Sequence, residues 1–237
     1  MNVLALDSSA KTAGVALLQQ DHLLYESHLA AGFTHSETLL QLVDGALTAC
    51  RLAPDGIDCY AVTCGPGSFT GLRIGLALVK GLAAAHGTPC VPVSTLHALA
   101  EGCPAEGLIL ATMDARRSEV YTALFRRENG VLCRLTEDAA LPAAEAVRAA
   151  LDTPAERPLP VTLVGDGAQL CRALWPEERP VLLLPEALRT RAAAAAAYIA
   201  AREAAAGNTV PAGELRADYH RLCQAEKELL QKQKLLQ

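Results

Sequence analysis

The sequence predicts an α/β protein of two lobes, each a mixed sheet with helices packed on it. Elements in the order β-β-β-α-β-α occur twice along the 237 residues, and the first strand of each copy ends in an aspartate, Asp7 or Asp114. The 45 alanines and 39 leucines favour helices, while the 4% aromatic content argues against an all-β sandwich. The repeated order indicates an internal duplication across a cleft, and chance recurrence is the alternative. Residues 1–104 then form an amino-terminal lobe and 105–237 a carboxy-terminal lobe.

Each element of the first lobe follows from a local pattern. Apolar runs bounded by turn residues predict strands, and apolar positions three and four apart predict helices. Ser36 is expected to cap the first helix, because a serine hydroxyl accepts a hydrogen bond from the first free amides. The predicted order is strands at Val3–Leu6, Gly14–Leu18 and Leu23–Leu29, a helix over 36–50, a strand at Tyr60–Thr63, a helix at Leu72–Ala85, a strand at Val91–Val93 and a short helix at Thr95–Ala100.

The pattern restarts after a glycine-bounded segment over 102–107. The Asn-Gly pair at 129–130 predicts a hairpin turn between two strands. A nearly pure alanine helix and a terminal helix over 214–237, able to pack back on the first lobe, complete the chain. The predicted elements are strands at Leu108–Met113, Val120–Phe125 and Val131–Leu135, a helix at Ala143–Leu151, a strand at Val161–Val164, and helices at Ala168–Trp175 and Ala192–Ala206.

Charge and composition exclude several classes of function. The net charge of −5 argues against a protein that binds nucleic acid on its own, because such proteins usually carry a basic surface. No stretch approaches the roughly 20 apolar residues that span a bilayer, and the first residues lack a basic signal region, so we expect a cytoplasmic chain without membrane contact. The eight cysteines form no Cys-x-x-Cys and no histidines stand four apart, so we expect no metal and no cofactor.

Two segments could carry chemistry, and each has a structural alternative. Asp7 ends a strand beside small hydroxyl residues, which suits either a hydrated magnesium with phosphate or a self-bonded turn. The segment GPGSFTG over 65–71 precedes a helix whose free amides could receive an anion. It lacks the Gly-Lys-Ser/Thr ending of a P-loop, so turn formation by the glycines with Ser68 or Thr70 as helix cap is the alternative.

The helix after this segment carries unusually small residues. Gly71 and Gly75 stand four apart, as do Ala77 and Gly81. Each helical glycine costs about 1 kcal/mol relative to alanine, so close approach by another helix is expected to compensate. With the preceding helix, it could form half of a bundle completed by another chain. Burial within this chain is the alternative.

Several motifs together resemble a known family. They are LALDSS over 4–9, HSE over 35–37, GPGSFTGLRIG over 65–75, MDARRSEVY over 113–121, GDGA over 165–168 and Gln224-Ala225-Glu226. The sequence is similar throughout to the TsaB (YeaZ) family of bacterial tRNA threonylcarbamoyladenosine biosynthesis proteins. The resemblance implies a two-lobed actin-like, Hsp70-like ATPase fold of the ribonuclease H-like type. Such a fold agrees with the inferred duplication.

The resemblance also implies a function without catalysis by this chain. Members of the family are non-catalytic partners of the enzyme TsaD, with the ATPase TsaE as third component, and tRNA is reached only through that complex. TsaD relatives carry a metal-binding His-x-x-x-His after the glycine-rich helix. Thr95 and Leu99 stand at those positions here, so a metal-dependent catalytic role is disfavoured. When TsaD is absent, the family resemblance implies that a second copy of the chain can take its place, which would give a homodimer.

Two groups of candidate site residues follow. The first two helices are expected to bind TsaD, or a second copy, through Leu39, Leu40, Val43, Leu47, Leu76, Val79 and Leu82, some of which must face their own sheet. A vestigial nucleotide cleft is expected at Asp7, Ser8, Asp114, Gly165 and Gly167. The main hypothesis is a scaffold and activating subunit that supports threonylcarbamoyl transfer to the adenosine next to the anticodon. A free-standing small ATPase or kinase using the cleft residues is the alternative, and a peptidase is a weaker one.

Overall fold

The first lobe is a five-stranded mixed sheet. We analysed a computed structural model, which describes residues 1–154 and 160–220. Strand order is β3-β2-β1-β4-β5, with β2 antiparallel to β1 and β3, and with β1, β4 and β5 parallel. The predicted succession of strands along the chain and the mixed sheet are confirmed, whereas the order of the strands within the sheet was not predicted. The strands are β1 (Asn2–Asp7), β2 (Ala13–Gln19), β3 (His22–Leu29), β4 (Cys59–Gly65) and β5 (Cys90–Ser94).

Helices cover both faces of this sheet. Helices α1 (His35–Cys50) and α2 (Phe69–His86) pack on one face, where Leu4 and Leu6 of β1 point. Helix α3 (Thr95–Glu101) packs on the other face, where Val3 and Ala5 point. Burial of both faces explains why β1 reads as a continuous apolar run instead of an alternating one.

The alanine-rich helix α7 (Ala193–Ala205) lies on the first sheet, beside α3. The sequence assigned this segment to the second lobe, whereas its buried face contacts β1, β2 and β4. Alanine allows the helix to approach closely: a Cβ added at Gly14 of β2 would lie 3.1 Å from the Ala193 Cβ. The division of the chain at residue 104 stays a prediction, but the first sheet is completed by residues far beyond it.

The second lobe is a six-stranded sheet. Its main path is β11-β10-β6-β7-β8, and β9 pairs with β7. The predicted elements are present, and three short ones were not predicted: β9, β11 and α6. The strands are β6 (Gly107–Asp114), β7 (Glu119–Glu128), β8 (Val131–Arg134), β9 (Ala139–Pro142), β10 (Val161–Val164) and β11 (Leu182–Leu183); the helices are α4 (Ala143–Leu151), α5 (Ala168–Ala173) and α6 (Glu186–Arg189).

Helix α1 begins one residue earlier than predicted, and its cap is Thr34 instead of Ser36. The Glu37 carboxylate accepts hydrogen bonds from the Thr34 backbone N–H at 3.0 Å and from the Thr34 hydroxyl at 2.6 Å. A Thr-x-x-Glu pair stabilises a helix start in this way because the glutamate reaches back to the cap. The Thr34–Glu37 pair therefore fixes the start of the helix, and Ser36 lies inside it.

The chain after α7 returns along the first lobe. Val210 and Cys90 exchange backbone hydrogen bonds of 2.9 and 2.8 Å, and Leu215 is buried in the core under α1 and α2. Residues 215–220 form no helix, so the predicted helix over 214–237 is wrong for this part. The remainder of that helix, with Gln224-Ala225-Glu226, lies outside the described residues. Over 1–154 and 160–220, none of the helices is both long and apolar enough to span a bilayer.

We expect overpacking of α7 to destabilise the first lobe. Ala196 is fully buried against the sheet, so Ala196→Leu should lower the free energy of unfolding by about 1–3 kcal/mol, measured by urea titration. Ala205→Leu, at the exposed end of the same helix, is the control and should change stability little. Equal effects of the two substitutions would contradict the placement of α7.

Candidate functional site

A cavity of about 800 Å³ lies between the two lobes. It is bounded by the turn after β1, the start of α1, the glycine-rich segment before α2, and the turn after β6. Acidic and basic side chains both line it, so the lining does not favour an anionic ligand over a cationic one. They are Lys11, Asp114, Arg116, Asp166, Glu186, Arg189 and Asp218, with His35 and His220 as titratable neighbours.

Asp7 lies beneath this cavity and is not among its lining residues. Its side chain is buried, and one carboxylate oxygen, Oδ1, accepts three hydrogen bonds. The donors are the Ser9 N–H at 3.1 Å, the Ser9 hydroxyl at 2.6 Å and the Thr63 hydroxyl at 2.7 Å. These bonds close the turn after β1 and tie it to β4. They are the turn-forming arrangement, one of the two interpretations of this aspartate.

Ser8 is fully buried between β1 and α2. Its hydroxyl donates to the Gly71 carbonyl at 2.9 Å. A Cβ added at Gly71 would lie 2.0 Å from the Ser8 carbonyl oxygen, and one added at Gly75 would lie 2.3 Å from the Ser8 Oγ. The expectation that another helix covers Gly71 and Gly75 is therefore wrong, because the turn of this chain occupies that side of α2.

The free amides at the start of α2 are partly used within the chain. Ser68 is the helix cap, and its hydroxyl accepts the Gly71 N–H at 3.3 Å. The Ser68 N–H itself donates to the Ser9 carbonyl at 2.6 Å. Pro66 has no N–H to offer. The capping alternative for this segment is the one that the structure contains.

In the second lobe the glycine turn over 165–167 packs under the end of β6. Gly165 has a φ of +91°, and an added Cβ would lie 1.9 Å from the Thr112 carbonyl oxygen. The Gly167 N–H donates to that same oxygen at 3.1 Å. Both glycines thus serve close backbone approach, and of the predicted cleft residues only Asp114 lines the cavity.

Asp166 is a cavity residue that the candidate set missed, although it lies between the two predicted glycines. Its Oδ1 accepts the Asp114 N–H at 2.9 Å. Burial raises the pKa of the Asp166 carboxyl above its ordinary value. The hydrogen bond from the Asp114 N–H acts against this, as do the charges of Lys11 and Arg116, while the Asp114 charge acts with it. The sequence signal that could have identified Asp166 is its position between two glycines, because a side chain at the tip of a tight turn projects away from the backbone.

The turn after β6 is an unusual left-handed segment. Three consecutive non-glycine residues, Arg116, Arg117 and Ser118, have φ values of 67°, 58° and 60°. The Asp114 carboxylate accepts the Arg116 N–H at 2.7 Å, and the two side chains lie 3.6 Å apart as an ion pair. This turn places Arg116 in the cavity wall opposite the first lobe.

An aromatic and cationic cluster stands at the cavity mouth. The rings of Phe69 and Tyr219 lie 4.8 Å apart, and the Arg73 guanidinium carbon lies 3.8 Å from the Phe69 ring centroid. The Arg73 Nε–H also donates to the Tyr219 hydroxyl at 3.1 Å. The Asp218 N–H donates to the Cys64 carbonyl at 2.8 Å, which fixes the backbone beside Tyr219. Sequence reasoning missed this contact because it joins residues 146 positions apart.

The candidate partner-binding residues divide into two groups. Five lie in the core under α1 and α2 and are not on the exposed face: Leu39, Val43, Leu47, Leu76 and Val79. Leu40 is 56% exposed, and Leu82 is partly buried. Helical spacing identified an apolar stripe correctly but could not tell the sheet side from the outer side. An outer contact on these helices must use Leu40, Leu82 and the residues beside them.

Thr95 and Leu99, at the positions of the TsaD-type histidine pair, are both buried, and Leu99 belongs to the apolar core that lies between the two sheets. Over residues 1–154 and 160–220, no group of three or more His, Cys, Asp or Glu side chains is arranged to hold a metal ion.

We expect Asp166 to make stability depend on pH. A raised pKa means that the folded chain holds this proton more tightly than the unfolded chain, so the stability it supports is lost as the pH rises through the folded pKa. Asp166→Asn keeps an acceptor for the Asp114 N–H without the partly buried charge. It should raise the melting temperature at pH 7, and the gain should vanish below the ordinary carboxyl pKa of 3.8.

Calorimetry across this pH range measures the effect, with Asp44→Asn at an exposed site on α1 as the control. A gain of the same size at both ends of the range would contradict the burial argument.

Known proteins match this chain in sequence and in structure. A family model described as TsaD, tRNA N6-adenosine threonylcarbamoyltransferase, matches residues 30–229. The Bacillus subtilis tRNA threonylcarbamoyladenosine biosynthesis protein TsaB is 40% identical over 139 residues, 58% of this chain and 61% of that protein. This chain spans 55 to 61% of the lengths of the curated TsaB proteins of this and two further bacteria.

Two solved structures extend the comparison. A Pseudomonas aeruginosa protein described as similar to the peptidase YeaZ is 30% identical, with a TM-score of 0.80 over 93% of this chain and 99% of that chain. The (R)-2-hydroxyglutaryl-CoA dehydratase component A of Acidaminococcus fermentans is 13% identical, with a TM-score of 0.53 over 86% of this chain and 99% of that chain, which shows a shared fold alone. The two lobes have the predicted actin-like ATPase fold. The chain belongs to the family that the TsaD model describes and, within it, to the TsaB/YeaZ group.

Proposed function

We propose that this chain is a scaffold and activating subunit, without catalytic residues of its own, in the complex that forms threonylcarbamoyladenosine in tRNA. In this proposal the chain binds TsaD, TsaE is the third component, and tRNA is reached only through the complex. The similarity to three TsaB proteins of tRNA threonylcarbamoyladenosine biosynthesis and to the TsaD family supports this pathway. The net charge of −5 supports a contact with protein rather than with RNA.

The observation that carries the proposal is the outer face of α1 and α2. A Cβ added at Gly81 would meet nothing within 4 Å, so no neighbour within the described chain requires glycine at this exposed helical position. Gly71 and Gly75, by contrast, are required by the Ser8 turn. An uncompensated helical glycine costs about 1 kcal/mol relative to alanine. Close approach of a partner helix at Gly81 would offset that cost, and Leu40 on α1 is a second exposed position on the same pair of helices.

The geometry of the cleft supports the non-catalytic part of the proposal. The Asp7 Oδ1 is taken by three internal donors, and the amides before α2 are partly taken by Ser9 and Ser68. A working phosphate site of this fold would need such groups free to meet a nucleotide. The rival hypothesis of a small ATPase or kinase therefore has less support. Calorimetry with ATP and magnesium tests that rival, because tight magnesium-dependent binding would favour it.

Leu40 provides the direct test of the proposed contact face. Leu40→Glu adds a charge to a side chain that is 56% exposed, so the isolated chain should keep its stability while its affinity for TsaD falls at least tenfold, measured by calorimetry. Leu174→Glu, at a 47% exposed leucine in the second lobe, is the matched control and should bind as the unaltered chain does. Unchanged affinity of the Leu40 variant would remove this face from the proposal.

Gly81 separates stability from binding. Gly81→Gln introduces a better helix former into open space, so the free energy of unfolding should rise by about 0.5–1 kcal/mol. The same side chain should block close approach by a partner helix and weaken TsaD binding at least tenfold. Ala144→Gln, on the exposed face of α4, controls for a new glutamine on a helix surface. A variant that is more stable and binds as tightly as before would show that Gly81 is not a contact.

A further inference from the structure

We infer that Arg73 is a preorganised receptor for a carboxylate group of the partner protein, and that Tyr219 is the residue that positions it. The inference rests on the proposed function and deepens it, because it gives the α1–α2 face a specific polar anchor. The anchor combines two distant parts of the chain: the start of α2 and the segment after Val210 that returns along the first lobe.

Two contacts fix the Arg73 side chain. Its guanidinium stacks on Phe69, four residues earlier on α2, with 3.8 Å from the guanidinium carbon to the ring centroid. Its Nε–H donates to the Tyr219 hydroxyl at 3.1 Å. An exposed arginine normally loses side-chain rotamer entropy when it is immobilised by a ligand. Here that entropy is lost before the partner arrives, which favours tight and specific binding.

The fixed guanidinium keeps a free edge. Nε is used by Tyr219, whereas the two terminal nitrogens make no ion pair with any carboxylate in the part of the chain that the structure describes. Asp218, the acidic residue next to Tyr219 in sequence, pairs with His220 instead, with 2.9 Å between the Asp218 Oδ2 and the His220 Nε2. A planar edge with two parallel N–H donors matches the two oxygens of one carboxylate.

Position on the helix connects Arg73 to the proposed contact face. Arg73, Ala77 and Gly81 stand four residues apart and are all exposed, so they form one row along the outer side of α2. A partner helix that approaches Gly81 along this row reaches Arg73 at its end. The side chain itself points back over Phe69, as helical side chains do, and so lies beside the first turn.

The net charge of the chain favours a carboxylate over nucleic acid as the occupant. A phosphate backbone would be bound by several cations in a line, whereas this chain has a net charge of −5. The positive end of the α2 dipole adds to the attraction that Arg73 exerts on a single anion. An Asp or Glu side chain on TsaD is therefore the occupant that the site fits.

The test measures TsaD affinity for the full chain by calorimetry, with and without changes at the anchor. We expect Arg73→Met to weaken binding by about 10- to 100-fold, in the range of a charged hydrogen-bonded contact, and Arg73→Lys to recover little because lysine lacks the planar fork. The difference between Arg73→Met and the unaltered chain should shrink as salt is added. Arg172→Met, at an exposed arginine on α5, is the matched control.

Tyr219→Phe separates positioning from folding. It removes only the hydroxyl that accepts the Arg73 Nε–H. In an otherwise unaltered chain, the affinity for TsaD should fall about fivefold because Arg73 is no longer preorganised. In a chain that already carries Arg73→Met, the same substitution should not change the affinity. Effects that add in the double variant, or a melting temperature that falls with affinity, would assign Tyr219 a structural role only.

Three further outcomes are decisive. Unchanged TsaD binding by Arg73→Met, while the unaltered chain binds and Leu40→Glu does not, would overturn the anchor and leave the proposed function standing. Weaker binding of tRNA to the assembled complex, with TsaD affinity unchanged, would identify the occupant as a phosphate and contradict the inference. Failure of the unaltered chain to bind TsaD would overturn the proposed function and the anchor with it.

Discussion

The contact between the turn at Ser8 and the Gly71–Gly75 side of α2 is the one on which the rest of the first lobe depends. The Ser8 carbonyl and hydroxyl occupy the volume that a Cβ at Gly71 or Gly75 would need. Asp7 holds the same turn closed and ties it to β4. Helix α2 is thereby fixed in position and rotation against β1, and both the cavity wall and the outer row of the helix follow from that placement.

Because α2 is fixed from inside, its outer side is free to serve another molecule. The two kinds of glycine on this helix show the difference: Gly71 and Gly75 are explained within the chain, whereas Gly81 is not. At the cavity mouth, Tyr219 and Phe69 hold Arg73 at the end of the same outer row. The turn after β1, bonded within the chain, and a helix with one exposed side are the features on which the proposal of a binding role rests.

The sequence predicted the fold well where patterns are local. Apolar runs and helical spacing located nearly every strand and helix, because both faces of each sheet are covered and the strands are correspondingly apolar. The elements that were missed, such as β9 and β11, are only 4 and 2 residues long and depend on neighbours across the sheet. The candidate site was less predictable. Helical spacing could not separate buried Val79 from exposed Leu40, and the Arg73–Tyr219 contact is invisible to any local pattern.

Reconstitution of tRNA modification with and without this chain tests the central claim most directly. TsaD, TsaE, tRNA and a threonylcarbamoyl adenylate donor would be combined, and the modified adenosine would be measured by mass spectrometry of tRNA digests. A scaffold and activating subunit predicts strong dependence of product formation on this chain, and no product from this chain and tRNA in the absence of TsaD. Full product formation without the chain would contradict the account.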